Sequence, residues 1–428
     1  MSDAALSDVG ILDDDFAPAP RRTADVVGFE AAVKAGERKA LVAGLIVIAP
    51  LLLFLLVNFL APITLMLARG VQDREMHAAL PQTAAALRLW DGKGLPDERL
   101  ASTFVAELAK AKDAGDLSEV ANRLNYDRAG LRGLLFRTAD ALPANLTGSR
   151  LQALEKIDPR WGDRSTWAVL KHAAGPLTSF YLLAAFDRRL DTSGHIVRAP
   201  QEQAVFVEVL GRTLWISAVV TVLCLLLGYP LAYFLATLPQ KWANPLLILV
   251  LLPFWTSTLV RTTAWIVLLQ THGVINDALM WTHLISKPLE LVYNRTGVYV
   301  AMTHVLLPYV ILPLYAVMRG ISLTPLRAAL SLGATPTRAF WSIYAPQTVP
   351  GAAAGGLIVF VLSLGYYITP ALVGGARDQM ISYFIAFYTN QSLNWGMAAA
   401  LGVVLLAATL VLMQFYGRLS GLRSAAWR

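Results

Sequence analysis

The stretch LTPLRAALSLGATPTRAFWSIYAPQTVPG, residues 323–351, separates two long apolar runs in the C-terminal half of the chain. It contains two arginines, no acidic residue and no obvious catalytic group. The runs on either side are apolar enough to lie in a membrane, whereas this segment is long, orderly and helix-forming. Its position between two candidate spans therefore determines which fold we expect.

Two helix-start signals occur within this stretch. Thr-Pro pairs at 324–325 and 335–336 each place a hydroxyl before a proline, which suits the N-cap and first positions of a helix. Gly333 is expected to end the first helix, 325–332, and Pro346 the second. Eight residues are too few for a helix to persist alone in water. Because the first helix is apolar on most sides, we expect it to dock into a groove on a partner protein.

Composition predicts a membrane protein. The chain has 428 residues, of which 56% are hydrophobic, and its mean hydropathy is +0.53. A helix needs roughly 20 apolar residues to cross the hydrocarbon. The uncharged runs predict six spans, near 41–67, 213–237, 244–268, 297–318, 349–372 and 395–416.

The charges predict an orientation. After Arg212 the chain has eleven basic and three acidic residues. The loops and tail that share one side of this region contain only basic charges, namely Lys241, Arg319, Arg327, Arg338, Arg418, Arg423 and Arg428. The positive-inside rule places that side, and both termini, in the cytoplasm of a cell whose inner membrane the chain crosses several times. The net charge of +7 is thereby explained without nucleic-acid binding.

The predicted organisation has four parts. A partly disordered cytoplasmic tail, 1–39, ends in an amphipathic helix at 27–39 and leads into a first span at 40–68. An external insertion follows at 69–211, and its apolar residues recur at helical spacing. A five-helix core occupies 212–428. The fold class is therefore an all-α membrane protein with six transmembrane helices and a mainly helical external insertion between helices 1 and 2.

The sequence lacks the motifs of an enzyme or of a self-powered pump. It has no G-x-x-x-x-G-K-[ST], H-E-x-x-H, C-x-x-C or G-x-S-x-G motif, and its six histidines have no metal-ligand spacing. We therefore expect no catalytic residue, no metal and no cofactor bound by this chain. No Asp or Glu lies within a predicted span, although ion-coupled transporters usually carry such groups at membrane depth. The chain has the features of a pore, and its energy must come from a partner.

The opening stretch resembles the EAA loop of ATP-binding-cassette (ABC) importer permeases, roughly E-A-A-x-x-x-G followed by I and P. Ala328, Ala329, Gly333, Ile343 and Pro346 match, while Arg327 stands where the family has glutamate. The resemblance implies a type I importer fold in which the segment 323–351 couples the permease to an ATP-binding subunit. The implied coupling residues are Leu326, Arg327, Ala328, Ala329, Leu330, Gly333, Ala334, Pro336, Ile343 and Pro346.

Two further stretches resemble the spermidine/putrescine-type branch of these permeases: LLPFWTSTLVRTTAWIVLLQTHGVIN at 251–276 and LSLGYYITPALVGG at 362–375. The resemblance implies a small solute, a polyamine or related amine, carried between this chain and a second permease subunit. It also implies a dimer of ATP-binding subunits that holds ATP and Mg²⁺, and an external solute-binding protein. The candidate residues of the substrate path are Phe254, Trp255, Arg261, Tyr366 and Tyr367.

Two alternatives stay open at this stage. A membrane receptor with an extracytoplasmic sensor domain shares the order span, outer domain, span, but it usually has a cytoplasmic signalling domain. A secondary transporter is disfavoured by the acid-free spans. Within the core, Gly351 and Gly355 have a spacing that allows close helix approach, either to a partner subunit or within the bundle. For Arg261 we expect a place near the outer surface, calculated for one continuous third span.

Overall fold

The computed structural model describes residues 43–142, 148–191 and 193–419. The expected tail at 1–39, with its amphipathic helix at 27–39, lies outside these residues. The chain divides into two compact units that meet between Leu65 and Met66. The segment expected to be an external insertion and the five-helix core both belong to the second unit.

The first candidate span is a helix, α1 (Ala43–Val71), which crosses from the first unit into the second. It contains a π turn at Leu56–Leu60, where the Ala61 amide bonds to the Leu56 carbonyl five residues back. The widened turn directly precedes Pro62, a residue that cannot donate the backbone hydrogen bond of a regular helix.

The segment between the first two spans is mainly helical. Its helices are α2 (Glu75–Ala79), α3 (Pro81–Leu89), α4 (Glu98–Ala114), α5 (Leu117–Asp127), α6 (Leu131–Ala141), α7 (Arg150–Ile157), α8 (Arg164–Ala173) and α9 (Phe180–Ala185). A short antiparallel pair follows, β1 (Arg188–Leu190) and β2 (Ile196–Arg198), with Arg189 opposite Val197. The helices enclose their own apolar core, centred on Phe104, Trp161 and Trp167, whose ring centroids are 5.0–5.4 Å apart.

A buried ion pair connects separate parts of this bundle. The Asp73 carboxylate lies 2.6 Å from Nη2 of Arg123, and both side chains are almost fully buried. The guanidinium lies 4.2 Å above the Phe180 ring. Burial raises the pKa of the Asp73 carboxyl to about 7, although Arg123 opposes this change. The pair joins α5 to the chain that leaves α1 and to the start of α9.

The core after residue 205 consists mainly of helices. They are α10 (Phe206–Thr237), α11 (Gln240–Leu251), α12 (Thr258–Leu269), α13 (Val274–Trp281), α14 (Arg295–Gly320), α15 (Thr324–Ser331), α16 (Pro336–Leu364), α17 (Ile368–Val373), α18 (Ile381–Asn390) and α19 (Trp395–Leu419). A 3₁₀ turn at Leu252–Trp255 follows α11.

Glycines allow α10, α14 and α16 to pack closely. A Cβ added at Gly351 would lie 2.9 Å from Val317, and one added at Gly355 would lie 3.0 Å from the Val310 Cα. Such contacts are shorter than real Cβ atoms show, so a larger residue would separate the helices. The Gly351–Gly355 pair therefore serves packing within this chain, against α14.

Helix α9 and the turn that follows it both contact the core. The Asp187 carboxylate accepts hydrogen bonds from the Phe206 and Val207 amides, at 2.9 and 3.0 Å, and so caps α10. Tyr181 on α9 packs so closely on Gly396 that a Cβ there would overlap the ring. The second span begins seven residues earlier than predicted because this cap lies outside the apolar run.

The predicted fold class, a helical membrane protein, is confirmed. In the described residues five helices are long and apolar enough to cross a membrane: α1, α10, α14, α16 and α19. A bent pair, Gln240–Trp255 with Thr258–Trp281, is a sixth candidate. The prediction of a continuous third span at 244–268 is wrong, because the two parts of this pair meet at 98°.

Candidate functional site

The helix predicted at 325–332 exists, but it begins one residue earlier than expected. Helix α15 starts at Thr324, and its N-cap position is Leu323, which has no capping side chain. The prediction that Thr324 caps this helix is wrong. Ser322 lies before it instead, accepting the Thr324 amide at 3.3 Å and donating to the Thr324 hydroxyl at 3.1 Å.

The end of α15 has the expected glycine. Gly333 has φ +88°, a conformation that costs other residues energy. Its amide donates to the Leu330 carbonyl, and the Ala334 amide donates to the Ala329 carbonyl, both at 3.0 Å. These two bonds close the helix in the manner of a glycine C-cap.

Helix α15 presents an apolar surface to the outside of the chain. Leu330 is 42% exposed and Leu332 is 88% exposed. Ala328 is exposed, as is Arg327, whose side chain makes no ion pair or hydrogen bond with any described residue. Leu326 is half-buried and packs against the main apolar cluster of the core. One side chain thus anchors the helix, and its neighbours are free for a partner.

The second half of the stretch is one continuous helix. The Thr335 hydroxyl accepts the Arg338 amide at 3.4 Å and caps α16, with Pro336 at its first position. The prediction that Pro346 ends a helix is wrong. A π turn at Phe340–Tyr344 precedes it, and the Ala345 amide bonds to the Phe340 carbonyl five residues back. The widened turn accommodates the proline, as it does before Pro62.

The π turn supplies aromatic rings that bind α16 to α10. Phe340 packs on Tyr233 with ring centroids 5.4 Å apart, and Tyr344 lies at the same distance from Tyr233. The Tyr229 and Thr348 hydroxyls share a hydrogen bond of 3.0 Å. Ile343 is half-buried beside these rings. The stretch is thereby fixed to the core along its second half.

The predicted substrate-path residues lie at two breaks in the helices. Phe254 and Trp255 belong to the 3₁₀ turn between α11 and α12. Phe254 is half-buried, with its ring 4.8 Å from that of Tyr309, whereas Trp255 is 81% exposed. The break changes the backbone direction, so the calculation that placed Arg261 near the outer surface, which assumed one continuous span, does not apply.

The second break corrects the fifth span, which was predicted at 349–372. Helix α16 ends at Leu364, and the chain resumes a helix only at Ile368. Tyr366 is half-buried in the main apolar cluster, and Tyr367 is 40% exposed. At each break one aromatic residue packs into the protein and its neighbour is exposed.

The structure brings the two broken regions together through hydroxyl groups. Thr262 on α12 and Thr369 on α17 are fully buried, and their oxygens are 3.0 Å apart. Trp265 Nε1 donates to His304 Nδ1 on α14 at 3.1 Å. Arg261, beside Thr262, donates from Nη2 to the Thr258 hydroxyl at 3.3 Å. Arg261 was predicted from the sequence as a candidate, whereas Thr262, Thr369 and Trp265 were not, because no motif marks them.

A cleft of about 310 Å³, which no sequence motif predicts, lies where the mainly helical segment meets the core. Asp127 and Arg189 line it from one side, and Phe206, Tyr388 and Asn394 from the other. Burial raises the pKa of the Asp127 carboxyl, and Arg123 opposes this change. Among the described residues no group of His, Cys, Asp or Glu could hold a metal ion.

Broken apolar helices beside an exposed apolar helix are features of a multi-span transport protein. The family model described as "Binding-protein-dependent transport system inner membrane component" matches residues 225–421. The spermidine/putrescine transport system permease protein PotB of Escherichia coli K12 is 34% identical over 218 residues, 51% of this chain and 79% of PotB. The PotB of Salmonella typhimurium LT2 is equally similar, over 51% of this chain and 76% of that protein.

More distant similarities have other solutes in their names. The molybdenum transport system permease protein ModB of Mycobacterium bovis is 28% identical over 218 residues, 50% of this chain and 79% of ModB. A bacterial alginate ABC transporter, solved with an alginate pentasaccharide-bound periplasmic protein, has a chain with a TM-score of 0.42 and 20% identity. That comparison covers 50% of this chain and 78% of the solved chain.

The chain belongs to the family of binding-protein-dependent transport system inner membrane components. It is a membrane-spanning permease of an ABC importer, a transport protein and not a catalytic enzyme. Membership leaves the receptor and the secondary transporter without support. The match begins at residue 225, so it does not extend to the mainly helical segment between the first two spans.

Proposed function

We propose that this chain forms half of the path by which an ABC importer carries a small amine-bearing solute into the cell. A second permease subunit forms the other half, an external binding protein delivers the solute, and two ATP-binding subunits hold ATP and Mg²⁺. The basic inner loops favour cytoplasmic termini and an external segment at 69–211. The polyamine class is supported by the names of the PotB relatives at 34% identity.

The observation that carries this proposal is the exposed apolar surface of α15. Leu330 and Leu332 lie outside the apolar core, at a helix that Leu326 anchors. Apolar side chains in water favour association with a complementary groove. The ATP-binding subunit supplies that groove, and closure of the ATPase pair moves α15 together with the rest of the chain.

The exposed aromatic residues at the two breaks suit an amine. Trp255 and Tyr367 present ring faces that can hold an ammonium by cation–π attraction, worth about 0.5–2 kcal/mol. Such weak binding suits a path that must release its solute, and the external binding protein then provides the strong selection.

The test of coupling is Leu332→Glu, which places a charge on the apolar surface without altering the backbone at Gly333. A charge buried unpaired costs about 3–5 kcal/mol, so uptake and co-purification of the ATP-binding subunit should fall at least tenfold while membrane abundance stays normal. Arg327→Ala should have a milder effect, because this exposed side chain has no described partner and can stay in water. Unchanged uptake in Leu332→Glu would remove α15 from the coupling.

A further inference from the structure

The Arg261 side chain has hydrogen-bond donors that nothing in the described chain accepts. Its Nη2 donates to Thr258 at 3.3 Å. Its Nε and Nη1 are shielded from solvent, and no described residue accepts from them. A guanidinium carries five donors in a rigid fork and no acceptor. Hydrogen-bond donors that are shielded from water and have no partner cost free energy. We therefore expect an acceptor from outside this chain to bind them.

Arg261 lies on α12 one helical turn before Trp265, whose indole bonds to His304 on α14. His304 is nine residues from the start of the 26-residue helix α14, which places it about 13 Å from Arg295 along the axis. The turn of α12 that contains Trp265 therefore packs beside the interior of α14 and not beside its end.

His304 adds another donor to this place. Its Nδ1 accepts the Trp265 indole N–H, so the imidazole is neutral and carries its proton on Nε2. No described residue accepts from that nitrogen. The region thus combines the Arg261 fork with an imidazole N–H, and both require oxygen acceptors.

No carboxylate of the described core is available to Arg261. The core after residue 205 has four acids, namely Glu208, Asp277, Glu290 and Asp378. Asp378 pairs with Arg295 at 2.9 Å, and the other three are exposed. A purely cationic solute would meet an unneutralised positive charge here, whereas a carboxylate matches the fork in shape and charge.

We propose that Arg261 binds a carboxylate of the transported solute, so that the solute is an amine bearing a carboxylate and not a simple polyamine. This inference rests on the proposed function, because the amine end is assigned there to the aromatic residues at the breaks. The carboxylate lies against the Arg261 fork and the His304 N–H while the ammonium lies on an aromatic face. No bond is made or broken in this binding.

The test compares two solutes of equal chain length, 4-aminobutyrate and putrescine, in the complete transporter reconstituted in vesicles with its own binding protein and ATP. Wild type should take up 4-aminobutyrate, and Arg261→Gln should lower that uptake on the order of tenfold to a hundredfold, as expected for loss of a charge-assisted hydrogen bond. Arg261→Lys keeps the positive charge but lacks the planar guanidinium. Its uptake of 4-aminobutyrate should therefore lie between those of wild type and Arg261→Gln. Arg377→Gln, which removes one positive charge from an exposed site, should have no effect.

Three outcomes would overturn the inference. If wild type carries putrescine and ignores 4-aminobutyrate, the inference fails while the proposed function stands. If it carries neither amine, both fail. If Arg261→Gln lowers uptake of both solutes equally, or prevents co-purification of the second permease, a carboxylate of that subunit is the true partner of Arg261.

Discussion

The hydroxyl pair between α12 and α17 gives a quantitative prediction about how the two broken helices are joined. The Thr262 hydroxyl donates to the Thr258 carbonyl at 2.8 Å. Its single proton is therefore used, and in the 3.0 Å contact with Thr369 it must accept. Thr369 is the donor, and both side chains are fully buried.

This direction makes the two single substitutions unequal. Thr369→Val removes the donor and should cost about 0.5–1.5 kcal/mol, the net value of a neutral hydrogen bond. Thr262→Val leaves the Thr369 hydroxyl buried without an acceptor, which should cost about 1–3 kcal/mol. In the double variant no orphaned hydroxyl is left, so its cost should be smaller than the sum of the two.

The single cysteine provides the assay. Cys224 on α10 is fully buried, so a thiol-reactive fluorophore labels it only when the core opens. When opening is fast relative to labelling, the rate follows the population of the open state, and about 1.4 kcal/mol corresponds to a tenfold change. Thr262→Val should speed labelling more than Thr369→Val does. Equal labelling rates in the two single variants would refute the assigned donor and acceptor. A free-energy cost of the double variant equal to the sum of the two single costs would refute them as well.

Two further predictions concern the mainly helical segment. Gly396→Ala places a methyl group within the Tyr181 ring and should cost about 1–3 kcal/mol of stability in thermal unfolding, whereas Gly402→Ala on the same helix, where a Cβ meets only ordinary contacts, should change little. Arg123→Met leaves Asp73 buried without its cation. The pKa of Asp73 in the folded wild type is about 7, so raising the pH to that value lowers the free energy of unfolding of wild type and variant equally. Above that pH the free energy of unfolding continues to fall only in the variant, by up to about 1.4 kcal/mol per pH unit. Tryptophan fluorescence during unfolding at pH 6 and 8.5 measures the difference; a deficit independent of pH would contradict the reasoning.

The spans could be predicted because hydropathy depends on composition alone, but their ends could not. Helix α10 starts at Phe206 because Asp187, nineteen residues earlier, caps it. The start of α16 at Pro336 was predicted from its Thr335 cap, but its continuation through Pro346 is supported by the packing of Phe340 on Tyr233 of α10. The Asp187 cap and this ring contact join residues far apart in the chain, which periodicity does not reveal.

The prolines show a similar limit. Pro253 lies at a break of 98°, whereas Pro62 and Pro346 lie just after π turns inside continuous helices. All three read alike in the sequence as prolines in apolar runs. The outcome depends on whether the preceding turn can widen, and at Phe340–Tyr344 that widening is supported by rings from a neighbouring helix. Whether a proline breaks a helix or follows a widened turn therefore depends on tertiary packing, which the sequence alone does not show.

Helix α16 connects the two candidate sites within one rigid element. Its first residue, Pro336, follows α15 after the short turn at 332–335, and its last, Leu364, precedes the break that contains Tyr367. The helix has 29 residues, so about 43 Å separates the coupling surface from that break. A continuous helix transmits displacement along its axis, whereas a break absorbs it in backbone rotation. On the proposed coupling, a displacement of α15 would therefore reach residues 365–367 before backbone rotation could absorb it, and the exposed ring of Tyr367 would be the first candidate path residue to move.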